Sequence, residues 1–236
     1  LTVNLRLNEN AFMWYNRKLL LLILFVLMAC PDALQAQIIK GEVMAGFNLS
    51  QVDGDLVYGY KRIGGNLGVG AMIPFKKNWD VSLETIFNQK GAYQKPQYLA
   101  DSLNGAYELR LNYVEVPVLL HYTDKEFITV GAGLSWSRLV GAKEYEHGRR
   151  TPTTATNGVY NLNDYSVLLD LRMRIIDRLK FNFRYQYTLA SIRTREFTDV
   201  SGRTETRNQF NNVLTFRLVY VFNEPIDIDV KQKKSK

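Results

Sequence analysis

From Leu179 to Leu189 the chain alternates without a break, with Leu, Phe or Tyr at every odd position and Lys, Asn, Arg, Gln or Thr at every even one. Successive side chains of a strand point to opposite faces, so the segment predicts a strand with one aromatic, apolar face and one hydrophilic face. The same period recurs seven more times. Val43 to Leu49, Leu67 to Ile73, Trp79 to Phe87 and Val114 to Tyr122 carry it in the first half of the chain. Ile128 to Trp136, Tyr165 to Ile175 and Leu214 to Phe222 carry it in the second. Eight such segments predict an all-β chain.

The connections alternate too. Phe75 to Asn78, Thr123 to Lys125, and Asp177 with Arg178 are short. Gln51–Ile63, Asn88–Tyr107, Lys143–Asn163 and Arg193–Gln209 are long and polar. Tight turns at one end and long loops at the other fit an eight-stranded antiparallel up-and-down transmembrane β-barrel, with periplasmic turns and extracellular loops. An even strand number puts both ends of the barrel on the short-turn side.

Alternation alone also fits a soluble barrel with its apolar face inside. Four features favour lipid outside. Strands of ~9–11 residues match a tilted bilayer crossing. Trp79, Phe87, Tyr122, Trp136, Tyr165 and Phe222 lie near segment ends, where an interfacial aromatic girdle belongs. Gly46, Gly68, Gly70, Gly131 and Gly133 fall on the opposite, inward face, which suits a crowded interior. The last segment ends on Phe222 with apolar residues at alternate positions behind it, like the signal read by the outer-membrane barrel assembly machinery.

If lipid is outside, the charges are inside. The inward face of the first four segments holds Glu42, Glu84, Glu115 and His121; that of the last three holds Asp170, Arg172, Arg174, Lys180, Arg184 and Arg217. An eight-stranded barrel is only wide enough for side chains to fill it, and charges withdrawn from water must be paired. The expectation is a plug of ion pairs, with Lys180 and Arg184 reaching towards Glu42, Glu84 and Glu115. Loss of Glu115 would then strand an arginine. The alternative is a narrow pore for ions or small solutes.

The N-terminus changes the compartment. Arg17 and Lys18 precede an apolar run from Leu19 to Ala29, and Ala36 precedes Gln37. This reads as a signal peptide over residues 1–36, with the barrel over 37–222 and a periplasmic tail over 223–236. The apolar run is shorter than the ~20 residues a spanning helix needs. Met13 sits just before the basic pair, so residues 1–12 read as upstream of the start, or as following a non-Met initiation codon. Leu27-Met28-Ala29-Cys30 resembles a lipobox, leaving lipidation of Cys30 as an alternative to its removal.

The formal net charge of +7 comes from 30 basic against 23 acidic residues. The basic residues are dispersed along strand faces, which argues against nucleic acid as a partner. Two His and one Cys offer no metal-ligand cluster, and no cofactor is expected. Glu84 with Glu115 could be taken for an acid–base pair, but packing explains them more simply. His147 in the third long loop has no evident Ser or carboxylate partner. No enzyme is predicted.

Three stretches resemble a known family. Gly41-Glu-Val-Met-Ala-Gly-Phe-Asn-Leu-Ser50, Leu83-Glu84 through Gln89-Lys90-Gly91, and Leu111-Asn-Tyr-Val-Glu-Val-Pro-Val-Leu-Leu-His-Tyr122 are similar to the first, third and fourth strands of the Bacteroidetes outer-membrane β-barrel family often labelled PorT-like. The sixth segment departs from it, with Leu168, Asp170, Arg172 and Arg174 where relatives tend to carry glycine. The resemblance implies a cell outer membrane of Bacteroidetes type, and for the founding member a tie to type IX secretion. Two functions follow. One is a non-enzymatic barrel acting through surface loops or protein partners. Its third loop, Glu144 to Asn157, is polar and Thr-rich, and suited to lipopolysaccharide or protein contact. The other is an accessory or assembly factor of a secretion system, for which the tail is the best local hint.

Overall fold

The computed structural model describes residues 39–97, 104–125, 127–198 and 202–223. The expected signal peptide, Cys30 and the residues beyond Asn223 lie outside the described residues. Ten strands form in order: β1 (Lys40–Asp53), β2 (Arg62–Lys76), β3 (Trp79–Gln94), β4 (Tyr107–Asp124), β5 (Ile128–Glu146), β6 (Arg149–Arg150), β7 (Asn163–Ile176), β8 (Leu179–Thr188), β9 (Arg193–Thr198) and β10 (Thr204–Val221). Each of β1, β2, β3, β4, β5, β7, β8 and β10 pairs antiparallel with its neighbour in that order. β1 also pairs with β10, Glu42 opposite Val221 through Asp53 opposite Phe210, so the eight strands close into a barrel. Closure satisfies every strand edge through the barrel wall, which is what a strand needs in lipid.

The two short strands lie off the ring. β6 folds back on the end of β5, and β9 pairs with the start of β10 alone. Both belong to the long-loop end.

β8, at 10 residues, matches the ~9–11 of a bilayer crossing, while the other barrel strands exceed it, up to 19 residues in β5. The expected loop limits shift accordingly. β3 continues to Gln94 and β5 to Glu146, inside what alternation alone read as loops. The fourth loop is largely a hairpin of β9 with β10. The short turns hold their places: β2 reaches Lys76, β4 reaches Asp124 and β7 reaches Ile176.

Parity runs unbroken through β8 and is interrupted locally in β3 and β10. In β8 every even position from Lys180 to Thr188 is buried, and each odd one is half-buried. Large apolar side chains such as Val43, Phe47, Leu67, Leu134 and Leu169 stand exposed on the outside. An outward apolar band with a polar interior is the lipid-facing arrangement, inverted relative to a soluble barrel.

Candidate functional site

The site is the lumen, filled in layers from the short-turn end upward. The lowest charged layer centres on Glu84 of β3. Its Oε1 accepts hydrogen bonds from Arg172 Nη2 and Arg184 Nη2, both at 2.8 Å. Its Oε2 accepts from Arg184 Nη1 at 2.8 Å and from Arg217 Nη2 at 3.0 Å. Arg172 also reaches Glu42 Oε2 at 2.6 Å and, through Nε, Asp170 Oδ2 at 2.9 Å. Arg184 Nε donates to Asp170 Oδ1 at 2.7 Å, and Arg217 Nε to Asn182 Oδ1 at 2.6 Å. Three guanidiniums thus face three carboxylates, all buried. Planar guanidiniums suit this because each can present several N–H groups to more than one carboxylate.

The layer takes side chains from β1, β3, β4, β7, β8 and β10; the β4 contribution is His121, whose Nε2 lies 3.2 Å from Asp170 Oδ2. The other two strands supply glycine at the same height. Gly70 of β2 stands in register between Glu42 and Glu84, and a Cβ there would come within 2.9 Å of Glu42 Oε1. Gly131 of β5 stands between His121 and Asp170, and its Cβ would lie 2.2 Å from the imidazole Cδ2. The missing side chains are the space the charged ones occupy.

Arg174 and Lys180 are cross-strand neighbours at the short-turn end, beside a register shift. Arg174 is half-buried and Lys180 buried. Arg184 reaches Glu84 and Asp170 rather than Glu42 or Glu115.

A second layer lies above. Lys90 Nζ sits 3.1 Å from Glu115 Oε2 and 3.4 Å from Asp164 Oδ2, with its ammonium 5.0 Å from the Tyr113 ring centroid. Asn88 donates to Glu115 at 3.0 Å and Asn211 to Asp164 at 2.9 Å. Asn48 bonds Asn88 and accepts from Thr215. The partner of Glu115 is therefore a lysine on the neighbouring strand, not an arginine across the lumen. Lys90 keeps the inward parity of Glu84 and Asn88 but lies past Phe87, where the apolar alternation ends; Lys90, Gly91 and Ala92 are then consecutively buried. Gly91 has φ 143°, and a Cβ on it would meet the Leu109 carbonyl oxygen at 2.0 Å.

Above the polar layers the lumen is apolar. Val52, Leu109, Leu111, Tyr113 and Leu139 from the walls pack with Val57, Tyr160 and Ile192 from the loops. Over this cap, Glu144 accepts hydrogen bonds from Tyr107, Thr153 and Arg193, each at 2.9 Å. Arg193 also donates to Tyr160 Oη at 2.8 Å. Burial pushes the Tyr160 hydroxyl up to about 12. The third loop is pinned to the mouth through Thr151 and Thr153, while Pro152, Thr154, Thr156, Asn157 and Gly158 remain exposed. His147 is likewise half-buried, its Nδ1 accepting the Gly105 amide at 3.1 Å.

The six aromatic positions face outward in two tiers. Trp79 and Tyr122 pair near the short turns, ring centroids 5.1 Å apart, with Phe222 on the same side. Trp136 and Tyr165 are direct cross-strand neighbours further up, and Phe87 pairs with Val114.

Chemically, the lumen is a network of interlocked ion pairs and hydrogen bonds. No serine hydroxyl bonds either histidine among the described residues, and no group of three or more His, Cys, Asp or Glu there could hold a metal ion.

A search of curated proteins finds no match to this chain. Among solved structures, Ail, the attachment invasion locus protein of Yersinia pestis, is similar at 13% identity and a TM-score of 0.46, covering 78% of this chain and 98% of its own. Neisserial surface protein A is similar at 11% identity and a TM-score of 0.44, covering 77% and 96%. A major outer membrane protein from Thermus thermophilus is similar at 15% identity and a TM-score of 0.44, covering 78% and 100%. The family model for the outer membrane protein β-barrel domain matches residues 35–193, about two thirds of the chain. The chain belongs to the outer membrane protein β-barrel domain family.

Proposed function

We propose that this chain is a non-enzymatic integral outer-membrane barrel that acts through the surface of its long-loop end, with the lumen plugged by charge. The carrying observation is the double closure of the barrel. Two ion-paired layers fill the interior, and the third and fourth loops fold into an ordered cap held by Glu144 and Arg193. A plugged interior leaves the outer surfaces as the working part. In this reading the long loops face the exterior and meet lipopolysaccharide or protein partners, the outward apolar band and its two aromatic tiers meet lipid, and the assembly machinery inserts the barrel. Residues 1–36 serve as its signal peptide and the tail lies in the periplasm.

The test is outer-membrane fractionation with heat-modifiable migration on gels, combined with epitope tags at Asn157 and at Asp177. Surface labelling of the first tag and protection of the second support the orientation; the reverse pattern overturns it. Conductance in planar bilayers would favour the narrow pore instead.

A second reading, an accessory factor of type IX secretion in a Bacteroidetes-type bacterium, draws support from the PorT-like stretches around Glu42, Glu84 and Glu115. Deleting the gene and comparing secreted proteomes tests it: selective loss of secreted proteins supports the reading, and an unchanged secretome rejects it.

A further inference from the structure

On the outside of the barrel, the wall made by β4 and β5 changes character towards the long-loop end. The outward positions of β4 are apolar or aromatic from Tyr122 up to Val114, and are then Asn112 and Arg110. Those of β5 pass from Leu134 and Trp136 to Arg138 and Val140 and, beyond the register shift, to Lys143. From Tyr122 to Arg110 is roughly 40 Å along the strand at ~3.3 Å per residue. At a tilt of ~40° that is ~30 Å of height, just past an apolar band ~25 Å tall. The cations therefore stand where the headgroups of the bilayer begin.

Two features of this wall are unfavourable without an anion. Arg110 and Lys143 are directly opposite in register and both exposed. Side chains so placed have Cβ atoms ~4.5–5.5 Å apart, and like charges there repel. Glu108 is already shared, accepting Arg110 Nε at 2.7 Å and Arg62 Nη1 at 3.0 Å. Lys143 has no ion-pair partner among the described residues. Arg138 is the second feature. It stands exposed with Trp136 and Val140 along its strand and Val114 across it, and donates through Nη1 to Asn163 Oδ1 at 3.0 Å. A cation among apolar neighbours on a lipid-facing wall is costly in proportion to its depth.

The charge is also one-sided. On the opposite wall the outward positions at the same end include Gln51 and Asp53 on β1, Tyr187 on β8 and Asn212 on β10, with no base among them. A soluble anion would need only the cations. Their seat directly above an apolar band instead fits a molecule with an anionic head and acyl chains, and guanidiniums suit phosphate in particular. Arg138 and the Arg110–Lys143 pair are separate anchor points, about 15 Å apart along β5 at ~3.3 Å per residue, which suits a lipid with two phosphates.

We propose that this face docks a bisphosphorylated acyl glycolipid, the lipid A of lipopolysaccharide. One phosphate lies between Arg110 and Lys143, the other at Arg138, and the acyl chains run along Val114, Val118 and Leu134. The inference rests on the reading that the long-loop end faces the exterior, and it places the lipopolysaccharide contact on the β4–β5 wall rather than on the loops.

The experiment titrates the folded full chain in detergent micelles with bisphosphoryl lipid A, read by native mass spectrometry. Monophosphoryl lipid A, phosphatidylglycerol and inorganic phosphate serve as comparison probes. The expected result is saturable binding of one lipid A, severalfold weaker for the monophosphoryl form and at least tenfold weaker for phosphatidylglycerol. Arg138→Gln with Lys143→Gln should weaken lipid A binding at least tenfold. Lys76→Gln with Lys77→Gln makes the same charge change at the short-turn end and should leave it within twofold. Heat-modifiable migration checks that both variants are folded. Absence of saturable lipid A binding in the wild type would overturn the proposal, as would wild-type affinity in the first variant or equal loss in the two. Equal affinity for phosphatidylglycerol or for the monophosphoryl form, or displacement of lipid A by an equal concentration of inorganic phosphate, would overturn it too. Since binding is read on purified protein, its failure is separate from failure of the orientation test on cells.

Discussion

Glu84 of β3 and Arg184 of β8 meet across the lumen through two hydrogen bonds of 2.8 Å each, a bidentate pair with both side chains buried. The same carboxylate also receives Arg172 and Arg217, so one side chain holds three guanidiniums from β7, β8 and β10. Glu84→Gln would leave three guanidiniums against two carboxylates in a dry interior. The expected loss is ~3–5 kcal/mol, the range for breaking a buried pair from one side. Urea unfolding in detergent, followed by gel mobility, checks it. Glu42→Gln should cost less, because Glu42 makes its described ion pair with Arg172 alone.

The second layer makes a prediction of a different kind. Glu115→Gln removes one of the two carboxylates beside Lys90 but leaves Asp164 at 3.4 Å. Its cost should therefore fall below that of Glu84→Gln. A double-mutant cycle of Glu115→Gln with Lys90→Met should give a coupling of ~0.5–3 kcal/mol. A coupling near zero would mean the two side chains do not meet in the folded barrel.

Glycine is required where a strand passes a charged side chain. At Gly131 a Cβ would sit 2.2 Å from the His121 ring. Gly131→Ala should destabilise the barrel by ~1–3 kcal/mol, as overpacking does. His121→Ala in the same chain should recover part of that loss. Thermal unfolding of the two single variants and the double variant decides it; no recovery would place the clash elsewhere.

The first loop should respond to pH through Asp55. Its carboxyl stands at about 7 in the fold against an ordinary 3.8, so the fold retains a proton that the open loop gives up. Stability contributed at this position is therefore present at low pH and falls as pH rises from about 4 to about 7. The charged or titratable groups around it are Asp53 on β1, Tyr107 on β4, Glu146 and His147 at the end of β5, and Arg195 on β9. Asp55→Asn removes the penalty without losing the acceptor for Val57. Amide exchange over residues 52–62 should slow in the variant by roughly tenfold at pH 8, about one pK unit of free energy, with the gap closing towards pH 4. Equal exchange in both proteins at pH 8 would contradict it.

How far the chain discloses its own structure follows from which rule governs each part. Parity is set locally by the pleat, so the eight strands and the inward identity of Glu84 or Arg184 could be read from alternation. Pairing is not local. Glu115 could be placed inside, but its partner Lys90, though it keeps the inward parity of Glu84 and Asn88, stands past Phe87, where the apolar alternation of the third segment ends. Leu109 and Leu111 hide for another reason. They are apolar and face inward, so they contradict the rule of polar interior and apolar exterior that identified the rest. At the long-loop end they build an ordinary hydrophobic core with Val57, Tyr160 and Ile192, and lower in the lumen Met44, Ile86, Val219 and Val221 form a smaller apolar cluster beside the charged layer. The polar composition of the third loop concealed its contacts: Thr153 is buried, its hydroxyl donating to Glu144 and accepting from Thr151.

The central claim is sidedness: charges in the lumen, aromatic face in lipid. β8 tests it most directly, because its parity is unbroken from Leu179 to Thr188. Single cysteines carrying spin labels at positions 181 to 187, in barrels reconstituted into bilayers, report collision with oxygen dissolved in the hydrocarbon. The account predicts high oxygen accessibility at Phe181, Phe183, Tyr185 and Tyr187, and low accessibility at Asn182, Arg184 and Gln186. The opposite phase, or no period of two, would contradict it.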